Sequence, residues 1–300
     1  MSSLCRYAGY RARMETYTSP TSPTPPTPPR RSIRLTRRGR TALIATGAVV
    51  AATAVAVPLL STDDKKEPQA LVIPEGWRSG QVYEAMDKAL ALPAGSSRKS
   101  LEKARLKLPN DASGNPEGYL FPATYPIDKK STPLSLLSYM VDTANKKFGG
   151  GTVTAGAERN AMNVYQTVTV ASIVQAEAAT KADMGKVARV IYNRLDRGMP
   201  LQMDSTINYA LNRSTLRTSR NDTQLESPYN TYARMGLPPT PIANPGEEAM
   251  RAAVTPTQGD WLYFVTVKRG DTRFTADYDE HKKNVAEFDH AHKTASASSG

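Results

Sequence analysis

Apolar positions repeat every three or four residues along most of the chain after residue 78. This spacing predicts helices over residues 79–92, 98–106, 134–148, 155–178, 181–197 and 204–211, and another that begins in Pro245–Val254. Ser79 and Asp204 stand where N-caps belong, because short polar side chains accept a hydrogen bond from the first helical turn. The pattern therefore indicates a protein built mainly from short amphipathic helices.

Two segments have the composition of β-strands instead. LVIP at residues 71–74 comes directly before the first helix, and WLYFVTV at residues 261–267 is rich in aromatic and β-branched side chains. Because the strands and helices do not alternate regularly, the predicted fold class is α+β, mostly helical.

The first sixty residues have a different character. Residues 19–29 are so rich in proline that we expect them to be disordered, and a basic run follows them. Thr41–Leu60 is a run of twenty residues without charge, which is the length a helix needs to span a bilayer. The alternatives are a cleaved signal peptide, with Ala54-Val55-Ala56 as its cleavage site, or a twin-arginine signal. The forty residues ahead of the apolar run favour an uncleaved anchor.

Charge predicts the orientation of that anchor. Residues 1–40 hold nine arginines and one glutamate, a net +8 of the chain's +11, which places the N-terminus in the cytoplasm. The remaining residues carry no basic stripe, so nucleic acid is excluded as a partner. The expected organisation is a disordered tail over 1–40, a transmembrane helix over 41–60, a linker over 61–69, an extracytoplasmic catalytic region over 70–290 and a disordered tail over 291–300.

Cysteine and histidine offer little chemistry. The only cysteine, Cys5, lies in the N-terminal tail, so the folded part has neither a disulfide nor a thiolate metal site. The histidines, His281, His290 and His292, lie close to the C-terminal end, where a solvated tail is more common than a metal site completed by Asp289. We expect no metal and no cofactor.

One carboxylate, Glu177, closes an apolar stretch just before the amphipathic segment of residues 181–197. A glutamate near a helix end is usually a solvated surface residue. Against Val170, Ile173 and Val174, however, desolvation disfavours its charged form, which raises its pKa and keeps a proton available. That is the state a general acid needs.

Five segments between about Ile73 and Val285 strengthen this interpretation. They are PEGW, EGYLFPATY, ASIVQAE, the block VARVIYNRLDRGMPLQMDSTINYAL, and the loop SPYNTYARMGLPPTPIANPG with its LYFV strand. Together they resemble the MltG (YceG-like) family of endolytic murein transglycosylases. The resemblance implies a membrane-anchored enzyme that cuts nascent peptidoglycan glycan strands internally and ends their growth, near the peptidoglycan synthases of the elongation machinery.

The resemblance also implies roles for individual residues. Glu177 takes the position of the catalytic acid, which protonates the MurNAc–GlcNAc glycosidic oxygen and then accepts the proton of the MurNAc C6 hydroxyl as a 1,6-anhydro ring forms. Water is not the nucleophile, so a second carboxylate is not obligatory. The implied cleft residues are Gln202, Asp204, Tyr229, Asn230 and Tyr232, with Glu117 as an assisting carboxylate. The alternatives are that Asp204 caps a helix, Asn230 stabilises a turn and Glu117 is solvated.

Two departures from the family pattern keep other functions open. Gln175 occupies the first acidic position of the ASIVEKE-type motif, and only about ten residues separate Leu60 from PEGW, where the family commonly carries a LysM-like subdomain. One alternative is a cell-wall-binding scaffold that lost its activity. The other is a hydrolytic muramidase that pairs Glu177 with Asp204 or Glu117.

Overall fold

The computed structural model describes residues 69–214, 218–268 and 270–297. The predicted cytoplasmic tail, the predicted span at residues 41–60 and nearly all of the predicted linker lie outside these residues. Among the residues that are described, no helix is both long enough and apolar enough to cross a membrane.

The described chain is mixed α+β, and about half of it is helical. In chain order the elements are β1 (Gln69–Val72), α1 (Ser79–Ala89), α2 (Ser96–Ser100), β2 (Thr124–Ile127), α3 (Pro133–Phe148), α4 (Gly151–Arg159), α5 (Val164–Glu177), α6 (Met184–Asp196), α7 (Asp204–Ala210), α8 (Glu247–Val254), β3 (Tyr263–Lys268), β4 (Asp271–Thr275) and α9 (Tyr278–Ala297). The helices predicted over 134–148 and 181–197 and the strand over 261–267 are confirmed.

The strands form two antiparallel pairs. β1 pairs with β2, which places Leu71 opposite Tyr125, and β3 pairs with β4, which places Phe264 opposite Phe274. Leu71, Tyr125 and Phe264 belong to one large hydrophobic core that also contains the apolar faces of α1, α3, α5 and α6.

Helix α5 lies at the centre of this core. Nearly every residue from Tyr165 to Val174 is buried, and the helix packs against α6 and α8. A helix that is apolar on all sides must be covered on all sides. Its last residue, Glu177, is therefore carried into the interior.

The single helix predicted over residues 155–178 is wrong, because the chain breaks between α4 and α5. Ala161 adopts a left-handed conformation with φ 53°. Two residues later Asn163 begins a capping box, in which its Oδ1 accepts from Gln166 N at 2.8 Å and its own N–H donates to Gln166 Oε1 at 2.9 Å. A new helix starts there.

Both predicted N-caps are also wrong. Arg78 precedes α1 as its N-cap, and the backbone N–H of Ser79 donates instead to Glu117 Oε1 at 3.0 Å. Met203 precedes α7, and the side chain of Asp204 accepts a hydrogen bond from the Tyr232 hydroxyl. The helix predicted over 98–106 is α2 followed by a 3-10 turn at Leu101–Lys103.

The C-terminal helix α9 packs on the β3–β4 pair. His281 on this helix is 1% exposed and stacks on Tyr263 with ring centroids 5.0 Å apart, so the expected solvated tail is wrong at this residue. Burial lowers the pKa of His281 to about 4, which keeps the imidazole neutral. No group of three metal-ligating side chains occurs among the described residues.

Candidate active site

Glu177 is a buried carboxyl group with one engaged oxygen. Its side chain is 1% exposed, and its Oε1 accepts a hydrogen bond from the backbone N–H of Ser205 at 3.0 Å. Its Oε2 has no hydrogen-bond partner in the described part of the chain. Burial raises the pKa of Glu177 to about 7, and the hydrogen bond from Ser205 only partly opposes this effect. The carboxyl group can therefore hold or release a proton near neutral pH.

Asp204 stands next to this group at the start of α7. It is 5% exposed and accepts a hydrogen bond from the hydroxyl of Tyr232, which comes from the loop after residue 227. After burial, the charge of Asp204 is a further cause that raises the pKa of Glu177. Asp204 thus favours the protonated form of its neighbour.

Glu117 is a second buried carboxyl group, so the alternative of a solvated loop residue is wrong. It is 4% exposed, its Oε1 accepts from Ser79 N at 3.0 Å, and its Oε2 accepts from the Tyr209 hydroxyl at 3.1 Å. Burial raises the pKa of Glu117 to about 7, although the hydrogen bonds from Ser79 and Tyr209 and the charge of Arg78 oppose the shift.

Tyr209 links Glu117 to an aromatic surface. Its ring packs against the ring of Tyr229 with centroids 4.9 Å apart, and the Arg78 guanidinium lies 5.2 Å from its centroid. The Tyr229 hydroxyl is 2.9 Å from Thr240 Oγ1. Two partly exposed rings and a cation beside a buried acid suit the ring faces and hydroxyl groups of sugars.

Gln202 is held by a buried cation. Its Oε1 accepts from Arg194 Nη1 at 3.3 Å, and its backbone N–H donates to the carbonyl of Thr231 at 2.9 Å. Gln202 has a backbone φ of 53°, which is uncommon for a residue other than glycine. The surrounding contacts therefore hold this residue in a specific conformation just before α7. Arg194 itself is fully buried.

Asn230 makes contacts within its own loop. It is fully buried, its Nδ2 donates to the carbonyls of Thr223 and Leu225, and its Oδ1 accepts from Tyr232 N at 2.9 Å. These are the contacts expected of a residue that stabilises a turn. Asn230 also fixes the backbone of Tyr232, the hydrogen-bond donor to Asp204.

Gln175, two residues before Glu177, has a structural partner. Its Oε1 accepts from the backbone N–H of Gly246 at 3.0 Å, and Gly246 is the N-cap of α8. An amide oxygen and a carboxylate oxygen can both accept this bond. The structure thus gives a physical reason why glutamine can replace an acid at this position.

Asn244 joins three segments that are distant in sequence. Its Oδ1 accepts from Leu120 N at 2.8 Å, its Nδ2 donates to the carbonyl of Trp77 at 2.8 Å, and its backbone carbonyl accepts from Gly76 N at 2.8 Å. It is fully buried. Asn244 therefore holds PEGW and EGYL together around Glu117.

Our interpretation of the sequence did not single out three residues that organise this site, which are Asn244, Arg194 and Tyr209. Each lies inside a segment that carried the family resemblance: PIANPG, VIYNRL and STINYAL. A buried polar residue in such a segment is the signal that could have found them, because an interior polar side chain needs partners from elsewhere in the fold.

Several comparisons connect this arrangement to known proteins. The sequence model of the YceG-like family matches residues 49–287. The chain is 41% identical over 168 residues to the endolytic murein transglycosylase of Bacillus subtilis strain 168, which covers 56% of this chain and 46% of that protein. It is 32% identical over 255 residues to the endolytic murein transglycosylase of Streptococcus pneumoniae serotype 2 strain D39, which covers 75% of this chain and 46% of that protein.

A solved structure shares the fold. The 2.6 Å crystal structure of a putative yceG-like protein from Listeria monocytogenes matches with a TM-score of 0.63 and 30% identity, over 72% of this chain and 75% of that one. The chain spans about half the length of the curated relatives it matches.

Proposed function

Because the chain belongs to the YceG-like family, we propose that it is an endolytic peptidoglycan lytic transglycosylase in which Glu177 is both acid and base. The observation that carries this proposal is the state of the Glu177 carboxyl group. It is 1% exposed, its pKa is raised by burial to about 7, and its Oε2 makes no hydrogen bond within the described chain.

The reaction needs only this one carboxyl group. Protonated Glu177 donates its proton to the oxygen between C1 of MurNAc and C4 of GlcNAc, and the C1–O bond breaks. The carboxylate that remains then accepts the proton of the MurNAc C6 hydroxyl as O6 bonds to C1. The products are a GlcNAc 4-hydroxyl end and a 1,6-anhydroMurNAc end, and Glu177 is protonated again.

Burial of Glu177 favours this outcome over hydrolysis. A carboxyl group held away from solvent leaves little room for an attacking water molecule, whereas the C6 hydroxyl arrives as part of the substrate. The hydrogen bond from Ser205 N engages Oε1 and leaves Oε2 without a partner among the described residues. Oε2 then remains for the proton transfer.

The surrounding residues bind and position. We assign Tyr229 and Tyr209 to sugar stacking, Gln202 to a sugar hydroxyl through its amide N–H groups, and Asp204 with Tyr232 to the control of the Glu177 proton. Asn230 orders the loop that carries Tyr232. Glu117 fixes Tyr209 and thereby shapes the binding surface.

The localisation that fits this activity is a single-pass anchor at Thr41–Leu60 with the catalytic region outside the cell membrane. The sequence supports it through the uncharged run and the arginine-rich N-terminus. Protease added to intact cells should leave residues 1–40 uncut and degrade an exposed catalytic region. Cleavage of the N-terminal tail from outside would refute this topology.

Mass spectrometry of uncrosslinked glycan strands tests the activity. The full chain in detergent should release internal fragments that end in 1,6-anhydroMurNAc. The Glu177→Gln variant should lose at least two orders of magnitude in rate, because a positioned general acid contributes about that much. Strands that stay intact with a folded wild-type protein would favour the scaffold, and reducing MurNAc ends would favour the hydrolase.

The scaffold hypothesis loses one of the two observations that supported it. It rested partly on Gln175, and the Gly246 contact gives that residue a structural role. The hydrolase hypothesis keeps one specific observation, which is that Glu117 is also a buried carboxyl group with a raised pKa. The chemical form of the product ends distinguishes the two reactions.

A further inference from the structure

Two adjoining cavities extend from the loop of residues 227–246, which we call the signature loop, across the N-terminal end of α5. One, of about 630 Å³, is lined by Leu237, Pro238 and Pro239 of that loop and by Gln166 and Thr169 of α5. The other, of about 460 Å³, lies beyond it. Each is within the size range of pockets that hold small ligands.

Three residues line both cavities, so the two cavities are neighbours. They are Asp111, Asn163 and Tyr165. The second cavity adds Tyr119 and Asn145. The carboxylate of Asp111 accepts from Asn163 Nδ2 at 3.0 Å.

The hydroxyl groups of Tyr119 and Tyr165 are the unusual feature here. Tyr119 is 1% exposed and Tyr165 is 7% exposed, and neither hydroxyl has a hydrogen-bond partner among the described residues. Their rings are stacked with centroids 6.2 Å apart. Burial, and then neighbouring groups that include Asp111, raises the pKa of both phenols, so both hydroxyls stay protonated as donors.

A buried hydroxyl without a partner costs stability, commonly about 1–3 kcal/mol, and such groups are rare in proteins. Both tyrosines line the second cavity together with one carboxylate and two amides, those of Asp111, Asn145 and Asn163. Stacked aromatic rings with amide and carboxylate groups suit a neutral sugar, whose ring has apolar faces and hydroxyl edges.

The first cavity extends further along α5, towards the end of the helix that carries Glu177. Thr169 lies eight residues before Glu177 on α5, which is about 12 Å along the helix axis. The same signature loop carries Tyr229, whose ring packs against Tyr209. A strand bound at Glu177 would need to extend about 12 Å, over the surface of this loop, to reach the first cavity.

We propose that these two cavities form a distal subsite for the glycan strand, in which the Tyr119 and Tyr165 hydroxyls bind a sugar remote from the bond that is cut. The proposal rests on the proposed function, because the ligand is a further part of the same strand. A distal subsite makes the affinity for a glycan depend on the length of the strand, which suits an enzyme that cuts inside strands.

Binding to an inactive protein tests this subsite. The full-length Glu177→Gln chain in detergent is titrated calorimetrically with a GlcNAc–MurNAc tetrasaccharide and with an octasaccharide, both free of peptides. We expect tighter binding of the octasaccharide. Tyr119→Phe and Tyr165→Phe should each weaken octasaccharide binding by about threefold to tenfold, the effect of one neutral hydrogen bond, and leave the tetrasaccharide unchanged.

Stability measurements separate this effect from misfolding. Because the two hydroxyls have no protein partner, both Phe variants should be as stable as the parent or more stable. Tyr125→Phe is the matched control, since the Tyr125 hydroxyl donates to the Phe121 carbonyl at 2.6 Å. It should lower the melting temperature without changing octasaccharide affinity.

Three results would overturn the subsite: no octasaccharide binding, equal affinity for the two oligosaccharides, or unchanged affinity in both Phe variants. Failure of the proposed function is a separate result, seen with the active chain as the absence of anhydro ends. Length-dependent binding that requires Tyr165 could persist in that case and would keep the subsite.

Discussion

Ser205 and Tyr209 lie one turn apart on helix α7, and each donates a hydrogen bond to a different buried glutamate. The first N–H groups of a helix have no partner within the helix, and side chains project from its surface, so this one short helix supports both Glu177 and Glu117. The donors differ in kind: Ser205 uses its backbone N–H, and Tyr209 uses its hydroxyl. A substitution can therefore remove the Glu117 contact alone.

The charge of Asp204 should set the alkaline limit of activity. Asp204→Asn keeps an oxygen acceptor for Tyr232 but removes a negative charge that raises the pKa of Glu177. We expect the falling limb of the rate-against-pH profile, near pH 7 in the wild type, to move to lower pH. Tyr232→Phe is the control, because it removes the hydrogen bond and keeps the charge. Unmoved limbs in both variants would contradict this role for Asp204.

The pH dependence of the free energy of unfolding should show how much the buried Glu177 carboxyl group destabilises the fold. Its pKa is 4.5 in the unfolded chain and about 7 when folded, so only the unfolded state loses the proton between these values. The free energy of unfolding therefore falls as pH rises through this window, by roughly 3 kcal/mol in total. Below pH 4.5 the Glu177 proton is bound in both states and the penalty is absent.

Glu177→Gln should accordingly unfold at higher denaturant concentration than the wild type at pH 8 and at a similar concentration at pH 4. Denaturation by urea at both values measures the difference. Glu84→Gln, on the exposed side of α1, is the matched control. A Gln variant that is less stable than the wild type at pH 8 would show that burial does not destabilise the ionised carboxyl group.

Gln175 should act through helix α8 rather than through the chemistry. Gln175→Glu keeps the acceptor for Gly246 N and should retain activity and stability. Gln175→Leu removes it and should cost about 1 kcal/mol, as the loss of a helix cap does, with activity reduced but present. Thermal unfolding and strand cleavage are the measurements. Complete inactivity of a folded Leu variant would instead place Gln175 in the reaction.

Removal of the Asn244 side chain should loosen the segments around Glu117. Asn244→Ala leaves the buried Leu120 N–H without its acceptor, and we expect a loss of about 3 kcal/mol in stability. Hydrogen exchange at Leu120 should accelerate. Asn230→Ala, at an equally buried asparagine whose contacts stay in its own loop, should leave the Leu120 amide protected. Unchanged exchange in the Asn244 variant would contradict the prediction.

Local patterns predicted the local parts of this structure. The apolar spacing of α3 and α6 gave their positions, and the apolar run before Glu177 gave its burial. The break before α5 was missed although it has a local signal, since Asn163 and Gln166 have the spacing of a capping box. Apolar periodicity alone does not detect such a break.

The remaining features depend on contacts between distant residues. Glu117 is buried because Ser79 and Tyr209, from other parts of the chain, supply its donors. Asp204 was given two interpretations, a cleft residue and a helix cap, and its side chain accepts from Tyr232 instead of capping α7. No pattern in a short window contains these pairings, which arise only when the loops meet in the folded protein.

Asn244 donates two hydrogen bonds to the backbone carbonyl of Trp77, one from its backbone N–H and one from its side-chain amide. The chain has two tryptophans, and the other, Trp261, packs against Phe274 in the C-terminal part of the fold. Substitution of Trp261 by phenylalanine would leave Trp77 as the single indole emitter. Trp77 is hydrogen-bonded through its backbone to Asn244, the residue that joins the segments around Glu117. Its emission wavelength would then report, without a label, any rearrangement of the segments that Asn244 joins.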